Sequence, residues 1–226
     1  MPDDPIPELQ PCGSGDYIVQ PGDGLSSIAD AHGFFWSTLW ELPDNAALKE
    51  ARVNPEVLLP GDRVTIIEKR QKTVARPTGA RHVFRRRGVP AKIRFQVRTR
   101  AGVVFAGCAY KLVADGVTHE GTTDSEGRIE HFVPPSVRTA LLTVTLNQAG
   151  YPATASWELQ VGQMEPAGSL NGVKARLRNL GYDVAQAGLG VRTTEALRAV
   201  QTRSGLEATG VLDDATRKAL VTLHGS

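Results

Sequence analysis

Tyr17-Ile18-Val19-Gln20-Pro21-Gly22-Asp23-Gly24-Leu25-Ser26-Ser27-Ile28-Ala29 is the stretch on which the fold of this chain turns. Its periodicity changes in the middle. Tyr17 to Val19 is a short β-rich run. Gln20 to Gly24 contains Pro-Gly and Asp-Gly, which is turn chemistry. Leu25, Ile28 and Ala29 then repeat at helical spacing, with Ser26 and Ser27 near the helix start. Gly33 ends that helix. Trp36, Leu39 and Trp40 mark a second helix, and Pro43 follows it. The long segment Leu42 to Pro55 predicts a short extra helix over Ala46–Arg52, an insert that would extend or cover a neighbouring groove. Leu58-Leu59-Pro60-Gly61-Asp62 is another turn, and Arg63 to Ile67 closes the unit as a strand. Residues 16–68 therefore read strand, helix, helix, strand, after a tail at 1–15.

The two ends of this unit resemble the LysM family. Tyr17-x-Val19-x-x-Gly22-Asp23-x-Leu25-x-x-Ile28-Ala29 matches its opening motif, and Pro60-Gly61-Asp62-x-Val64-x-Ile66 its closing motif. The resemblance implies a two-stranded antiparallel sheet with two helices on one face. It also implies binding of N-acetylglucosamine-containing glycans, peptidoglycan or chitin, by two loops. Here those loops are Gly22, Asp23, Gly24, Leu25 and Ser26, and Pro55, Glu56, Val57, Leu58 and Leu59. Gly24 stands where the family has threonine. Trp36 and Trp40, four apart on one helical face, are core side chains or a sugar-stacking platform.

The chain has 226 residues, 41% hydrophobic and only 6% aromatic, with 23 Gly and 14 Pro. That is enough apolar content to fold and thin for one large core, so several small cores are expected. No run approaches the ~20 apolar residues of a membrane helix. Met1-Pro2-Asp3-Asp4-Pro5 is unlike a secretory signal and predicts a cytoplasmic protein. Cys12 and Cys108 make no metal or redox motif and are separate packed thiols or a bridge. The net charge of +2 conceals a sharp pattern: −9 over residues 1–68, +12 over 69–100 and −1 over 101–226. Such asymmetry suggests modules joined by a basic connector.

That connector is residues 69–91. Arg81 and the run Arg85-Arg86-Arg87 make it a solvated linker that docks on the acidic first module, or a surface for an anionic partner protein or wall polymer. Nucleic acid ranks behind these, because no nucleic-acid-binding fold is attached. Residues 92–162 read as all-β. Ile93, Phe95 and Val97 alternate, as do Trp157, Leu159 and Val161. Asp115-Gly116 predicts a type I′ hairpin, and Thr123 to Gly127 a second hairpin. About six short strands imply a small antiparallel β-sandwich. Gly121-Thr122-Thr123-Asp124-x-x-Gly127-x-Ile129 resembles the hairpin of carboxypeptidase-regulatory-like and prealbumin-like sandwiches. The cluster His119, Glu120, Asp124, Glu126, Glu130 and His131 invites a catalytic or metal reading. A hairpin centred on Ser125-Glu126, however, pairs Glu120 with His131 and points the two histidines to opposite faces. No metal, cofactor or catalytic site is expected.

Residues 169–226 predict three helices. Val173, Leu177 and Leu180 line the first, Thr193 or Thr194 caps the second, and Ala215, Ala219 and Leu220 face inward on the third. Val173-x-x-x-Leu177-x-x-Leu180-Gly181-Tyr182, Gly190-x-x-Thr193-x-x-Ala196-Leu197-x-x-x-Gln201 and Gly210-x-Leu212-Asp213-x-x-Thr216-x-x-x-Leu220 resemble the peptidoglycan-binding domain found beside wall hydrolases. The resemblance implies a second wall site around Leu180, Gly181, Tyr182, Thr193, Leu197 and Gln201. The layout as a whole resembles LysM/peptidoglycan-binding proteins encoded beside type VI secretion spike components. The sequence reading is thus an α+β multidomain, non-catalytic peptidoglycan binder working with a contractile injection apparatus, which would deliver it to the periplasm or cell exterior. A spike or effector protein would be its partner. The alternative is an adaptor whose wall-binding folds no longer bind sugar.

Overall fold

The computed structural model describes residues 9–70, 73–83, 91–99 and 101–225. Among the described residues the fold is α+β, with several small antiparallel sheets and six α-helices. Three separate clusters of buried apolar side chains hold it, drawn from the N-terminal, central and C-terminal thirds of the sequence.

The first cluster centres on Val19, Leu25, Ile28, Leu39, Leu48 and Val64. Strand β1 (Tyr17–Ile18) pairs antiparallel with β2 (Arg63–Val64), and three helices lie between them in sequence: α1 (Leu25–His32), α2 (Trp36–Trp40) and α3 (Ala46–Arg52). Gly33 takes the left-handed conformation that terminates α1, with φ 73°. Trp40 is buried and Trp36 half-buried against the cluster, so both are packing side chains. The closing strand stops at Val64, short of the expected Ile67. Thr65 is occupied otherwise: its N–H donates to Asn45 Oδ1 at 2.8 Å and its carbonyl accepts from Asn45 Nδ2 at 3.0 Å. The insert is thus fastened to the body of the first unit. It supplies Asn45 to the sheet edge, Leu48 to the core and Arg52 to a buried ion pair with Asp62. Residues 9–15 are also packed rather than a free tail. Gly13 and Gly15 lie so close to the Arg63 and Val64 backbone that a Cβ on either would overlap it.

Six strands make the central unit. Strands β3 (Ala91–Gln96) and β6 (Arg128–Val133) form one antiparallel pair. Strands β4 (Ala109–Ala114), β5 (Val117–Thr122), β7 (Thr139–Thr145) and β8 (Thr154–Gln160) form a sheet of order β5-β4-β7-β8. Leu112, Leu142 and Val144 on the larger sheet and Ile93, Ile129 and Val133 on the smaller belong to the shared core. Asp115 and Gly116 both have positive φ, 50° and 72°, and join β4 to β5 in the expected two-residue turn. The second expected hairpin is absent. Thr123 to Gly127 carries the chain from one sheet to the other, because β5 pairs with β4 and β6 with β3. Thr123 Oγ1 accepts from Cys108 N and donates to Phe105 O, which fixes the corner to the first sheet. Asp124 Oδ1 accepts from the N–H groups of Glu126 and Arg128, which starts the second. Cys108 is a free thiol in this core and Cys12 a free thiol at the first cluster, so no bridge joins them.

The third unit comprises α4 (Leu170–Asn179), α5 (Val191–Arg203) and α6 (Asp214–His224), with α6 packed on both others. Ser169 and Asp213 cap α4 and α6 through their side chains. Helix α5 begins before the expected threonine cap. Gly190 precedes it, and Thr193 lies within it, buried, with its hydroxyl accepting from Ala185 N at 3.0 Å. On α6, Ala215 is exposed and Thr216 turns inward with Leu220. His224, near the end of α6, is pushed down to about 4 by burial and by the Arg176 charge. A histidine kept neutral in the folded state lets the unfolded state bind the proton first. The third unit should therefore lose stability as pH falls from about 6.5 to about 4, with little further loss from this group below that. Thermal melts at pH 7 and pH 4.5, for wild type and His224→Gln, check this. The substitution should flatten the pH dependence.

Candidate functional site

The two loops of the first unit do come together. Leu25 N donates to Pro55 O at 2.9 Å, and the Glu56 carboxylate accepts from Ser26 N at 3.2 Å and from the Ser26 hydroxyl at 2.5 Å. Ser27 completes the start of α1 by accepting from Gly24 N. The result is a zipped edge rather than an open groove. Gly24 and Leu25 are buried, as are Val57, Leu58 and Leu59. A Cβ at Gly24 would lie 2.5 Å from Glu56 Oε2, so glycine here makes room for the Glu56 clamp and does not present bare backbone to a ligand. Of the ten predicted glycan residues, Gly22, Asp23, Ser26, Pro55 and Glu56 retain solvent contact.

Asp23 is the electrostatic centre of this loop. It accepts from Tyr17 Oη at 2.8 Å and from Gln20 N at 3.0 Å, and pairs with Arg138 of the central unit at 3.2 Å. Burial and the Asp23 hydrogen bond push the Tyr17 phenol up to about 12, so it remains a donor across the working pH range. Beside the loop lies a shallow cleft of about 80 Å³. Gln20 to Asp23, Leu58 and Pro60 line one side, and Gly162 to Glu165, from the connection between β8 and α4, line the other. Sequence reasoning missed the second wall, because nothing local in residues 162–165 signals a contact with residues more than a hundred positions earlier.

The predicted second wall site is largely interior. Leu197 and Thr193 are fully buried, Tyr182 is 8% exposed, and only Leu180 and Gly181 reach solvent appreciably. Gln201 is 1% exposed. Its Nε2 donates to Val211 O and to the hydroxyls of Thr209 and Thr216, and its Oε1 accepts from Gly210 N at 2.8 Å. Gln201 thus organises the α5–α6 loop. Four of the six residues hold the fold from inside and are unavailable to a ligand.

Arg81 lies in the exposed stretch 73–83, while Arg85, Arg86 and Arg87 fall outside the described residues. The histidine cluster also departs from expectation. His119 and His131 do not diverge. Their rings stack with centroids 4.6 Å apart, between the two sheets at the β5/β6 side, and His131 Nε2 lies 2.7 Å from Tyr110 Oη. Glu120 is paired in register with Lys111 and not with His131. The inter-sheet corner places the histidines together where a hairpin would have separated them. Burial, and then the neighbouring His119, hold His131 below its usual value. Among the described residues no three His, Cys, Asp or Glu side chains converge as metal ligands, and no helix is long and apolar enough to cross a membrane.

Comparison with known proteins places this geometry in context. No curated protein and no solved structure matches the chain. Residues 171–220 match the family model of a peptidoglycan binding domain. The match runs from the start of α4 into α6, so the segment of the chain similar to that family is its C-terminal helical unit.

Proposed function

We propose that this chain is a non-catalytic peptidoglycan-binding accessory protein, with the C-terminal unit as its wall-binding module. The observation that carries this reading is the family match over residues 171–220. The buried residues of the expected second site redirect attention to the exterior of that unit. Leu180, Gly181 and the exposed loop 186–188 are among the accessible parts of the matched segment near it, with Asp183, Val191 and Arg192 also exposed.

The first unit supports the reading as a LysM-like module: two short antiparallel strands enclose three helices in sequence, and the motif loops lie side by side. We assign it a second, weaker contact with N-acetylated glycan through Gly22, Asp23 and Ser26. Backbone hydrogen bonds at about 0.5–1.5 kcal/mol each limit one such loop to roughly micromolar affinity or poorer. The association with a type VI or other contractile apparatus, and delivery by it, rests on the resemblance of the whole layout. The adaptor reading is favoured by one observation, the zipped and covered state of the first-unit loops.

Titration of the full chain with muropeptides, followed by backbone NMR shifts, tests the proposal. Shifts concentrated in residues 171–220 support it. Shifts nowhere in the chain at millimolar ligand would leave the adaptor reading.

A further inference from the structure

In the Gln20–Asp23 loop, Gly22 and Asp23 are partly covered by the rest of the chain, while Gln20 and Pro21 stay exposed. Gly22 packs on Gln163 and Arg138: a Cβ there would lie 3.6 Å from Gln163 Cγ and 3.9 Å from Arg138 Cδ. From the other side, a Cβ on Gly162 would come within 3.2 Å of the Gly22 carbonyl oxygen. Arg138 Nη2 completes the contact through Asp23 Oδ1 at 3.2 Å. The covering segment is itself held at both ends. Val161 N donates to Arg138 O at 2.8 Å, and Arg176 Nη1 donates to Glu165 O at 2.8 Å from within α4. The Glu165 carboxylate also accepts from the Ser169 hydroxyl at 2.8 Å.

The remaining cleft, about 80 Å³, lies well below the range that small-molecule sites occupy, roughly 300–1,000 Å³. A strand of several sugars does not fit between Gln20–Asp23 and Gly162–Glu165 while they remain in contact. The charged part of the contact is modest. The Arg138 side chain is 41% exposed, and an ion pair of that kind contributes a factor of about five at most. A contact whose one charged link is screened, and whose remainder is the light packing of Gly22 on Gln163, Arg138 and Gly162, is suited to opening.

We infer that Arg138 and residues 162–165 form a latch that closes the first unit's glycan loop, so that the site takes an N-acetylglucosamine oligomer only when the latch opens. The inference rests on the proposed glycan-binding role of that loop and adds its regulation. Apparent affinity scales with the open fraction. Salt screens Arg138 from Asp23 and raises that fraction. Because Arg176 ties the covering segment to α4, engagement of the C-terminal unit with the wall provides a direct mechanical route to release.

The test uses the full chain and the N-acetylglucosamine tetramer as probe, with NMR shift titrations of wild type, Arg138→Glu and Arg138→Ala. Arg138 is half-exposed, and melting curves of the variants verify that the core is intact. Both variants should bind at least about threefold more tightly than wild type, with shifts on Gln20–Asp23. Wild type should gain affinity between low salt and about 0.3 M salt, and the variants should not. Equal binding by wild type and variants, with shifts on the loop, would overturn the latch and leave glycan binding standing. No binding by any form would overturn both.

Discussion

Arg52→Ala should lower the stability of the first unit by about 3–5 kcal/mol, enough to unfold a small core at ordinary temperature. The Arg52 guanidinium meets Asp62 in a two-point pair, Nε to Oδ2 at 2.7 Å and Nη2 to Oδ1 at 2.7 Å, with both side chains almost completely buried. Nη2 also donates to Gln10 O at 2.8 Å, which ties residues 9–15 to α3. Removing Arg52 leaves the Asp62 carboxylate in the interior with only Cys12 N and Leu59 N as donors. Burial alone would raise the Asp62 pKa, but the hydrogen bonds from Arg52, Leu59 and Cys12 outweigh it and hold the group below its ordinary value. A depressed folded-state pKa means that this stabilisation is present above the unfolded value of about 3.8 and is lost as pH falls through the lower folded one. The acid loss from Asp62 therefore begins below the window in which His224 titrates. Hydrogen exchange resolved by residue checks the prediction: protection in α1 and β2 should collapse in Arg52→Ala while the central sheets keep theirs. Unchanged protection would mean that the pair is dispensable.

Gln201→Ala should cost about 3 kcal/mol in the C-terminal unit. The substitution strands the buried Gly210 N–H, removes the donor that joins Thr209, Val211 and Thr216, and leaves a cavity between α5 and α6. Each unsatisfied buried group costs about 1–3 kcal/mol. The signature is a lower melting temperature of the third unit, with any loss of wall binding following from unfolding. Reduced wall binding with an unchanged melt would instead make Gln201 a contact residue, against its 1% exposure.

These two residues show where the sequence was readable and where it was not. Helical spacing and caps located α1, α2 and α4, the insert was read as a helix over the residues that α3 occupies, and Asp115-Gly116 specified its turn. Those signals are local. Arg52 and Asp62 are ten residues apart on either side of a turn, and nothing in either short stretch shows that the two side chains share an interior. Thr123 to Gly127 has the composition of a hairpin. The choice between hairpin and inter-sheet corner is made by Cys108 and Phe105, which bind Thr123, and by Val97, whose carbonyl lies close to Gly127. That one error also misplaced His119 and His131. Thr193, Leu197 and Gln201 belong to the motif and are buried inside the helical unit, so the motif pointed to that unit while giving its interior in place of its surface. Val53, at φ 59°, is a β-branched residue in a region that disfavours it, and no composition rule announces it.

The central claim, that the chain binds peptidoglycan, is tested most directly by sedimentation with purified sacculi. The full chain should pellet with the sacculi at physiological salt, and Gln201→Ala, melted at the assay temperature, should lose most of that binding. A full chain that stays in the supernatant at low and physiological salt alike, while its C-terminal unit is shown to be folded, would contradict it.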